Sequence, residues 1–223
     1  MKTKFLLILL LILACANISS ASPVYVYVTG DNLKVGQVGE YNIILDKAPT
    51  GLSKYGISLF LSTDSAEIVD VVTPNWATIT EFIETSSSIW LEAVDFENNV
   101  KTNNSSIILA TIKLGGVSKG NVLLILKVVY LVDDNNNPLD YIEGSCIITV
   151  ESVSLPGHQD QSIDLDNDGL YEDVNGDHVF NFGDVVDFFE AFDSIPLEDW
   201  QYYDFNGDGS VNFGDVIALF KML

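Results

Sequence analysis

Two acidic loops near the end of the chain have the spacing of side chains that bind Ca²⁺. They occupy residues 173–184 and 204–215. Both carry side-chain oxygens at loop positions 1, 3, 5, 9 and 12, which is the spacing of an EF-hand loop. Ca²⁺ takes about six to eight oxygen ligands, and a tight turn can bring these positions around one centre. The sequence therefore predicts two calcium sites.

The ligands follow from the loop positions, with a backbone carbonyl at position 7 and a water-mediated contact at position 9. The predicted ligands of the first ion are Asp173, Asn175, Asp177, Val179, Asn181 and Asp184. Those of the second are Asp204, Asn206, Asp208, Ser210, Asn212 and Asp215. Position 12 is Asp where an ordinary EF-hand has Glu, so this shorter side chain must be carried closer to the ion. An alternative is that these are solvated acidic loops without an ion, but the agreement in sequence between the two copies disfavours it. A catalytic role of the carboxylates is also disfavoured, because each of them already has a ligand role.

A third, shorter acidic motif precedes the two loops. It consists of three aspartates at alternate positions: Asp164, Asp166 and Asp168. Gly169 follows, but the second half of a calcium loop is missing. Two interpretations stay open, namely a third calcium site closed by Glu172 or Asp173, and a solvated acidic turn.

The two full loops differ at position 6, where the backbone needs a positive φ. Gly209 occupies this position in the second loop and His178 in the first. Glycine adopts positive φ without steric cost, whereas histidine does so at a cost. We therefore predict that the first site binds calcium more weakly than the second.

The charge distribution agrees with cation binding. The net charge is −22, and residues 158–223 carry sixteen acidic side chains and one lysine, Lys221. Such self-repulsion opposes compaction, and bound Ca²⁺ would offset part of it. All ten basic residues of the chain are lysines. Bidentate arginine recognition is therefore excluded, and the acidic balance argues against nucleic-acid binding.

The first 21 residues have the composition of a cleaved secretory signal. A basic start at Lys2 and Lys4 precedes an apolar run at 5–14 and small residues at 19–21. The chain is therefore expected to be secreted, where extracellular calcium fills loops of modest affinity. A minority interpretation is a lipoprotein box that ends at Cys15, with a lipid there holding the protein at the cell surface. If Cys15 is instead removed with the leader, Cys146 has no intrachain partner and is predicted to be a buried small hydrophobe.

Residues 23–152 have the alternating pattern of β-strands and no helical period. Strands are predicted at 24–29, 39–45, 55–62, 67–72, 88–94, 106–114, 121–132 and 145–150. About eight or nine strands in this length predict an antiparallel β-sandwich or jelly roll. Trp90 is expected in its core, and Trp76 is placed in a loop. Residues 153–163, with Pro156, form the predicted linker to a small all-α domain at 164–223.

Each calcium loop runs directly into one apolar helix, predicted at 184–192 and 215–223. The predicted core of the small domain is Val185, Val186, Phe188, Phe189, Phe192, Val216, Ile217, Leu219, Phe220 and Leu223, with Phe180, Phe182, Val211 and Phe213 between the helices. About 60 residues is near the lower limit for a self-sufficient core. Calcium is therefore expected to be part of the folding of this domain.

A duplicated loop followed by a single helix and closed by Asp resembles a dockerin. The lead-in at 164–173 is similar to that of dockerins in archaeal extracellular proteins. The resemblance implies a module that binds a cohesin through residues early in the loop-following helices, in two orientations related by half a turn. The matching positions are Phe182, Gly183, Phe189, Glu190, Phe213, Gly214, Phe220 and Lys221.

The strand pattern of residues 23–152 resembles a cohesin, through the Val35–Gly36 turn and the strands at 56–62, 66–72 and 108–112. The usual cohesin has a proline in the position of residues 62–64, which this chain lacks. Together the resemblances imply a noncatalytic extracellular adaptor whose partners are cohesin-bearing and dockerin-bearing proteins, including a second copy of itself.

Two other functions are alternatives to the adaptor. The first is a carbohydrate-binding or surface-layer module anchored by its dockerin, with a polysaccharide as partner. The second is an enzyme, which the sequence disfavours because no nucleophile–base pattern is present and both histidines, His158 and His178, lie outside the β region.

Overall fold

The computed structural model describes residues 22–166 and 168–223, so the predicted leader and Cys15 lie outside the described residues. Within these residues, a β-rich part precedes two α-helices, α1 Phe182–Ala191 and α2 Phe213–Met222. The strands are β1 Val24–Thr29, β2 Leu33–Lys34, β3 Val38–Ala48, β4 Lys54–Leu61, β5 Ala66–Val72, β6 Ile79–Glu84, β7 Ser88–Val94, β8 Asn104–Gly116, β9 Gly120–Val132, β10 Tyr141–Gly144 and β11 Cys146–Glu151. Two 3₁₀ segments, Phe192–Ser194 and Leu197–Tyr202, lie between the helices. No described helix has both the length and the apolar character needed to cross a bilayer.

The strands form the predicted β-sandwich. One sheet has the order β10-β1-β3-β8-β5, and the other has the order β2-β11-β9-β4-β7-β6. The pairs β1–β10 and β2–β11 are parallel, and the other strand pairs of the two sheets are antiparallel, as the sequence predicted. The parallel pairs involve two short strands that the sequence did not reveal.

Burial alternates along most strands, as expected for two sheets that enclose one core. In β7, Ile89, Leu91 and Ala93 are buried and the residues between them are half-buried. β6 was missed because five of its six residues are exposed, which leaves no alternation to detect. It lies at the edge of its sheet, paired with β7 alone.

Trp90 of the sandwich does not lie where the sequence predicted, whereas Trp76 lies in the expected loop. Trp90 alternates with buried neighbours and therefore lies on the outer face of the six-stranded sheet, so its assignment to the core was wrong. Trp76 packs against the core, with its ring 5.8 Å from that of Tyr55. Its Nε1 donates to the Ile108 carbonyl at 2.9 Å. Cys146 is half-buried and packs against the same core.

A second hydrophobic cluster lies in the C-terminal part and is separate from the sandwich core. Its buried members are Val153, Leu155, Tyr171, Val174, Val185, Phe188, Ala191, Ile195, Tyr202, Tyr203, Val211, Val216 and Leu219. Val153 and Leu155 belong to the predicted linker, so that segment is packed rather than free. Ser162 is also fixed there, because its hydroxyl lies 2.8 Å from that of Tyr203.

The helices contribute fewer residues to this cluster than the sequence predicted. Seven side chains assigned to the core are exposed instead: Phe182, Val186, Phe189, Phe213, Ile217, Phe220 and Leu223. Tyrosines from the segments outside the helices take their place. The expected core was wrong because apolar residues occur all round each helix, and periodicity alone could not select the buried face.

Candidate calcium loops and docking face

The first loop is folded around the Asp173 carboxylate, which is fully buried. Its Oδ1 accepts from the amides of Gly176 at 2.8 Å and Asp177 at 3.1 Å, and its Oδ2 accepts from the His178 amide at 2.7 Å. The position-5 side chain, Asp177, accepts from the Val179 amide at 2.8 Å. The turn thus brings positions 1 and 5 together, as a calcium loop requires.

The second loop repeats this arrangement. Asp204 accepts from the amides of Asp208 at 3.1 Å and Gly209 at 2.8 Å, and Asp208 accepts from the Ser210 amide at 3.0 Å. The position-3 amide oxygen of Asn206 accepts from the Asp208 amide at 2.8 Å. Equivalent hydrogen bonds in the two copies show that the sequence repeat is also a structural repeat.

Positions 9 and 12 join each loop to its helix. Asn181 and Asn212 are the N-caps of α1 and α2, and each side chain accepts from the second following amide at 2.7 Å. Asp184 and Asp215 complete the capping boxes, since they accept from the N-cap amides at 2.8 Å. The helices therefore begin at Phe182 and Phe213, two residues before the predicted starts. Because the asparagine oxygens cap the helices, a water-mediated contact suits position 9.

The closing carboxylates are held where a cation would offset their charge. Asp184 and Asp215 are fully buried, and each also accepts from the backbone amide of the position-3 asparagine. Burial, and secondarily the charges of Asp173 and Asp177, raise the pKa of the Asp184 carboxyl. The pKa of Asp215 is raised by burial and, more weakly, by Asp204 and Asp208. Such crowded carboxylates are the oxygen ligands that Ca²⁺ prefers.

The backbone at position 6 has the conformation that the sequence predicted. His178 has φ +67° and Gly209 has φ +86°. A non-glycine residue in this region costs about 1–3 kcal/mol, which the surrounding hydrogen bonds must offset. The relative affinity of the two sites stays a prediction.

Replacing His178 by glycine is expected to strengthen the first site about fivefold. Relief of the left-handed strain outweighs the added chain entropy of glycine by about 1 kcal/mol. Calorimetric titration with Ca²⁺ should be done in a D215N background, so that the second loop does not mask the first. The matched control is Gly209→His in a D184N background, which should weaken the second site by a similar factor. Unchanged affinity in both variants would show that the position-6 backbone carries no strain.

The predicted partner-binding positions form one exposed surface, which we call the phenylalanine face. It consists of Phe182 and Phe189 on α1 with Phe213 and Phe220 on α2, each between 53% and 59% exposed. The Phe182 and Phe220 ring centroids are 6.1 Å apart, and those of Phe189 and Phe213 are 6.0 Å apart. Each pair joins the start of one helix to the end of the other.

The phenylalanine face therefore has approximate two-fold symmetry. Two further exposed apolar residues, Val186 of α1 and Ile217 of α2, occupy equivalent positions on the two helices. Gly183 and Gly214 lie in the first turns of the helices, and each would place an added Cβ 2.9 Å from the N-cap oxygen. The exposed residues Glu190 and Lys221 are equivalent in position but opposite in charge, and they break the symmetry.

The sandwich also has an apolar outer surface, on its six-stranded sheet. Trp90 of β7 is paired with Ile83 of β6 on one side and Ser58 of β4 on the other, so the three form one row. Phe60 lies two residues from Ser58 on the same face, and Ile147 of β11 is exposed further along the sheet. Ile83 and Ile147 are each 67% exposed, although both are large aliphatic residues.

Contacts between the sandwich and the small domain do not use the phenylalanine face. The Lys34 ammonium of β2 forms an ion pair with the carboxylate of Asp199. The Tyr171 hydroxyl donates to the Val35 carbonyl at 3.0 Å. These contacts could not be predicted from the sequence, because a single lysine and a single aspartate carry no motif. They leave both apolar surfaces exposed.

Solved structures of other proteins have a fold similar to that of the sandwich. No protein-family model matches the chain, and no curated protein matches it. A non-cellulosomal cohesin from the hyperthermophilic archaeon Archaeoglobus fulgidus is similar with a TM-score of 0.50 and 13% identity, over 59% of this chain and 93% of that one. A type I cohesin–dockerin complex from Clostridium thermocellum gives 0.52 and 15% identity, over 59% and 95%.

A third structure, the seventh ScaB type I cohesin from Pseudobacteroides cellulosolvens, gives a TM-score of 0.51 and 15% identity, over 61% of this chain and 97% of that one. The β-sandwich therefore has a cohesin-like fold.

Proposed function

We propose that this protein is a noncatalytic extracellular adaptor, in which a calcium-dependent dockerin-like domain docks into a cohesin-like β-sandwich. The observation that carries the proposal is the phenylalanine face. Four exposed aromatic rings related by approximate two-fold symmetry lie directly after two loops with calcium-ligand spacing. Aromatic side chains supply most of the binding energy in many protein interfaces, so their exposure favours a protein partner.

Calcium has a positioning role in this proposal. The first turn of each helix is built on a loop carboxylate, Asp184 or Asp215, which both caps the helix and is the last predicted ligand. A bound ion would therefore fix where Phe182 and Phe213 point. Two ions are proposed, with the twelve ligands predicted from the sequence.

The partner proposed for the phenylalanine face is a cohesin-like sandwich. Support comes from the fold of this chain's own sandwich and from the name of the Clostridium thermocellum structure, which is a complex between a cohesin and a dockerin. The outer face around Trp90, Ile83 and Phe60 is the surface on which we place the docking, because it is apolar, with Ile83 and Phe60 exposed and Trp90 half-buried.

Pairing of the two modules between copies of this chain is tested by mixing fragments 22–151 and 152–223. The cut separates the two hydrophobic clusters. Calorimetry in Ca²⁺ should show binding that strengthens with salt, because both fragments are acidic and salt screens their repulsion. Binding should vanish in chelator. No binding at any salt, with fragment 152–223 folded by Ca²⁺, would contradict self-pairing and place the partners on other chains.

A carbohydrate-binding or surface-layer module is the second candidate. It needs an exposed aromatic platform, and Trp76 is unsuitable because its ring packs on Tyr55 and its Nε1 is bonded. Trp90 lies on the outer face of the sheet and is half-buried, so polysaccharide binding by fragment 22–151 that is lost in Trp90→Ala would favour this candidate over the adaptor.

A further inference from the structure

Four carboxylates outside the two calcium loops converge on one point. They belong to Asp164, Asp166, Asp168 and Glu172, and one oxygen from each lies within 4.8 Å of the others. Asp166 and Glu172 also line a surface cleft with Leu165, Phe180 and Met222, which gives an ion a path from solvent. Four like charges at this separation repel strongly unless a cation lies among them.

Glu172 is the unusual member of this cluster, because it is buried. Glu172 is 4% exposed, and its Oε2 accepts from the Leu165 amide at 3.3 Å. Its Oε1 is buried and has no hydrogen-bond partner among the described residues. A buried carboxylate oxygen without a partner is costly, so a missing ligand of positive charge is the simplest explanation.

The backbone around the cluster repeats the first half of the two calcium loops. Asp164 accepts from the Gly169 amide at 2.8 Å, as Asp173 and Asp204 accept from the amides at their position 6. Asp168 accepts from the Leu170 amide at 2.8 Å, as the position-5 aspartates do in the full loops. Gly169 has φ +98°, so the turn has the same handedness. The difference lies at the closing ligand.

We propose that Asp164, Asp166, Asp168 and Glu172 bind a third Ca²⁺, with Glu172 closing the site from loop position 9. Glu172 lies at position 9, three residues earlier in the loop than the aspartate that closes a full loop at position 12. Its side chain is longer than that of aspartate and can therefore still reach the centre of the loop. All four ligands are oxygens and none is nitrogen or sulfur, which favours a hard cation over a transition metal. Flexible carboxylates suit Ca²⁺ better than Mg²⁺, which needs near-ideal octahedral geometry.

A third ion would stabilise the segment 163–173, which contacts the sandwich. The motif is a closed loop, because the Ile163 amide donates to the Asp173 carbonyl at 2.9 Å at its base. Tyr171, next to Glu172, reaches the sandwich through its hydroxyl bond to Val35. None of the four proposed ligands belongs to the phenylalanine face, and the proposal does not depend on docking.

The test is the number of Ca²⁺ ions bound by the chain from Ser22 to Leu223, measured by equilibrium dialysis and by calorimetry. Three ions are expected for the unchanged chain. Glu172→Gln keeps the size of the side chain and should lower the affinity of one site at least tenfold. Asp166→Asn, at an exposed position, should do the same without disturbing the interior. Glu198→Gln changes an exposed acid outside the cluster and should bind three ions.

A chain that binds two ions, with E172Q and D166N titrating as the unchanged chain does, would overturn the proposal. The double variant D184N/D215N separates this site from the loops of the proposed function. One strongly bound ion left in that variant, lost on adding E172Q, would support the third site. If D184N/D215N bound as many ions as the unchanged chain while E172Q bound one fewer, calcium binding by the two full loops would be contradicted and the third site would be supported.

Discussion

Removal of calcium is expected to unfold residues 153–223 while the β-sandwich keeps its structure. The small domain is built around carboxylates, since Asp173, Asp184 and Asp215 are all fully buried. Their mutual repulsion is uncompensated without cations, and the domain has only one lysine to offset it. Its apolar cluster is small, so little other free energy is available to hold the domain together.

The magnitudes favour complete unfolding. A site occupied at 100 times its Kd stabilises the folded state by about 2.7 kcal/mol, so two such sites contribute about 5 kcal/mol. This equals the lower end of the stability of ordinary domains, at about 5–15 kcal/mol. The buried acids of the sandwich do not need an ion. Asp95 accepts from the Val100 amide at 2.7 Å, and Asp133 accepts from the Asn135 and Asn137 amides at 2.9 and 2.7 Å.

Thermal unfolding followed by circular dichroism in Ca²⁺ and in excess chelator measures this effect. In chelator the helical signal should be lost at all temperatures, and the transition of the sandwich should stay within a few degrees. The variant D184N/D215N should keep only the stabilisation from the third proposed site, so its helical transition in Ca²⁺ should lie well below that of the unchanged chain. Glu198→Gln should have no effect. A cooperative helical transition that persists in chelator would contradict the prediction.

The two acidic loops could be located from the sequence because their predicted ligands lie close together in the chain. Spacing alone places positions 1, 3 and 5, and the structure confirms the local turn around Asp173 and Asp204. The positive φ of His178 was predicted for the same reason. The starts of the two helices were predicted wrongly. The helices begin directly after Asn181 and Asn212, two residues before the closing aspartates.

The faces of the elements could not be predicted, because they depend on contacts far apart in sequence. Trp90 and Ile89 are neighbours in an apolar strand, and only the position of the second sheet decides which of them is buried. In α1, Phe188 is buried and Phe189 is exposed because Tyr203 and Phe205 pack on Phe188. The same sheet arrangement brings β10 beside β1, a pairing across more than a hundred residues that no local pattern indicates.

Loss of the phenylalanine face is expected to abolish docking without unfolding the small domain. Changing Phe182, Phe189, Phe213 and Phe220 together to alanine should weaken calcium-dependent binding to fragment 22–151 by at least about 100-fold. Buried aromatic anchors contribute about 2 kcal/mol or more each to an interface, and even two such losses exceed this factor. All four rings are more than half exposed, so the thermal transition in Ca²⁺ should shift little.

Changes confined to one helix distinguish symmetric docking from docking in one orientation. With the two-fold arrangement of the ring pairs, F182A/F189A on α1 leaves the equivalent surface on α2 available, and binding should fall only about twofold through loss of one orientation. F213A/F220A should act in the same way, with a different salt dependence because docking then uses α1, which carries Glu190 where α2 carries Lys221. Leu197→Ala, an exposed apolar change in a 3₁₀ segment, is the control. If the α1 variant alone abolished binding, docking would use one orientation, and if the fourfold variant bound normally, the partner would contact another surface.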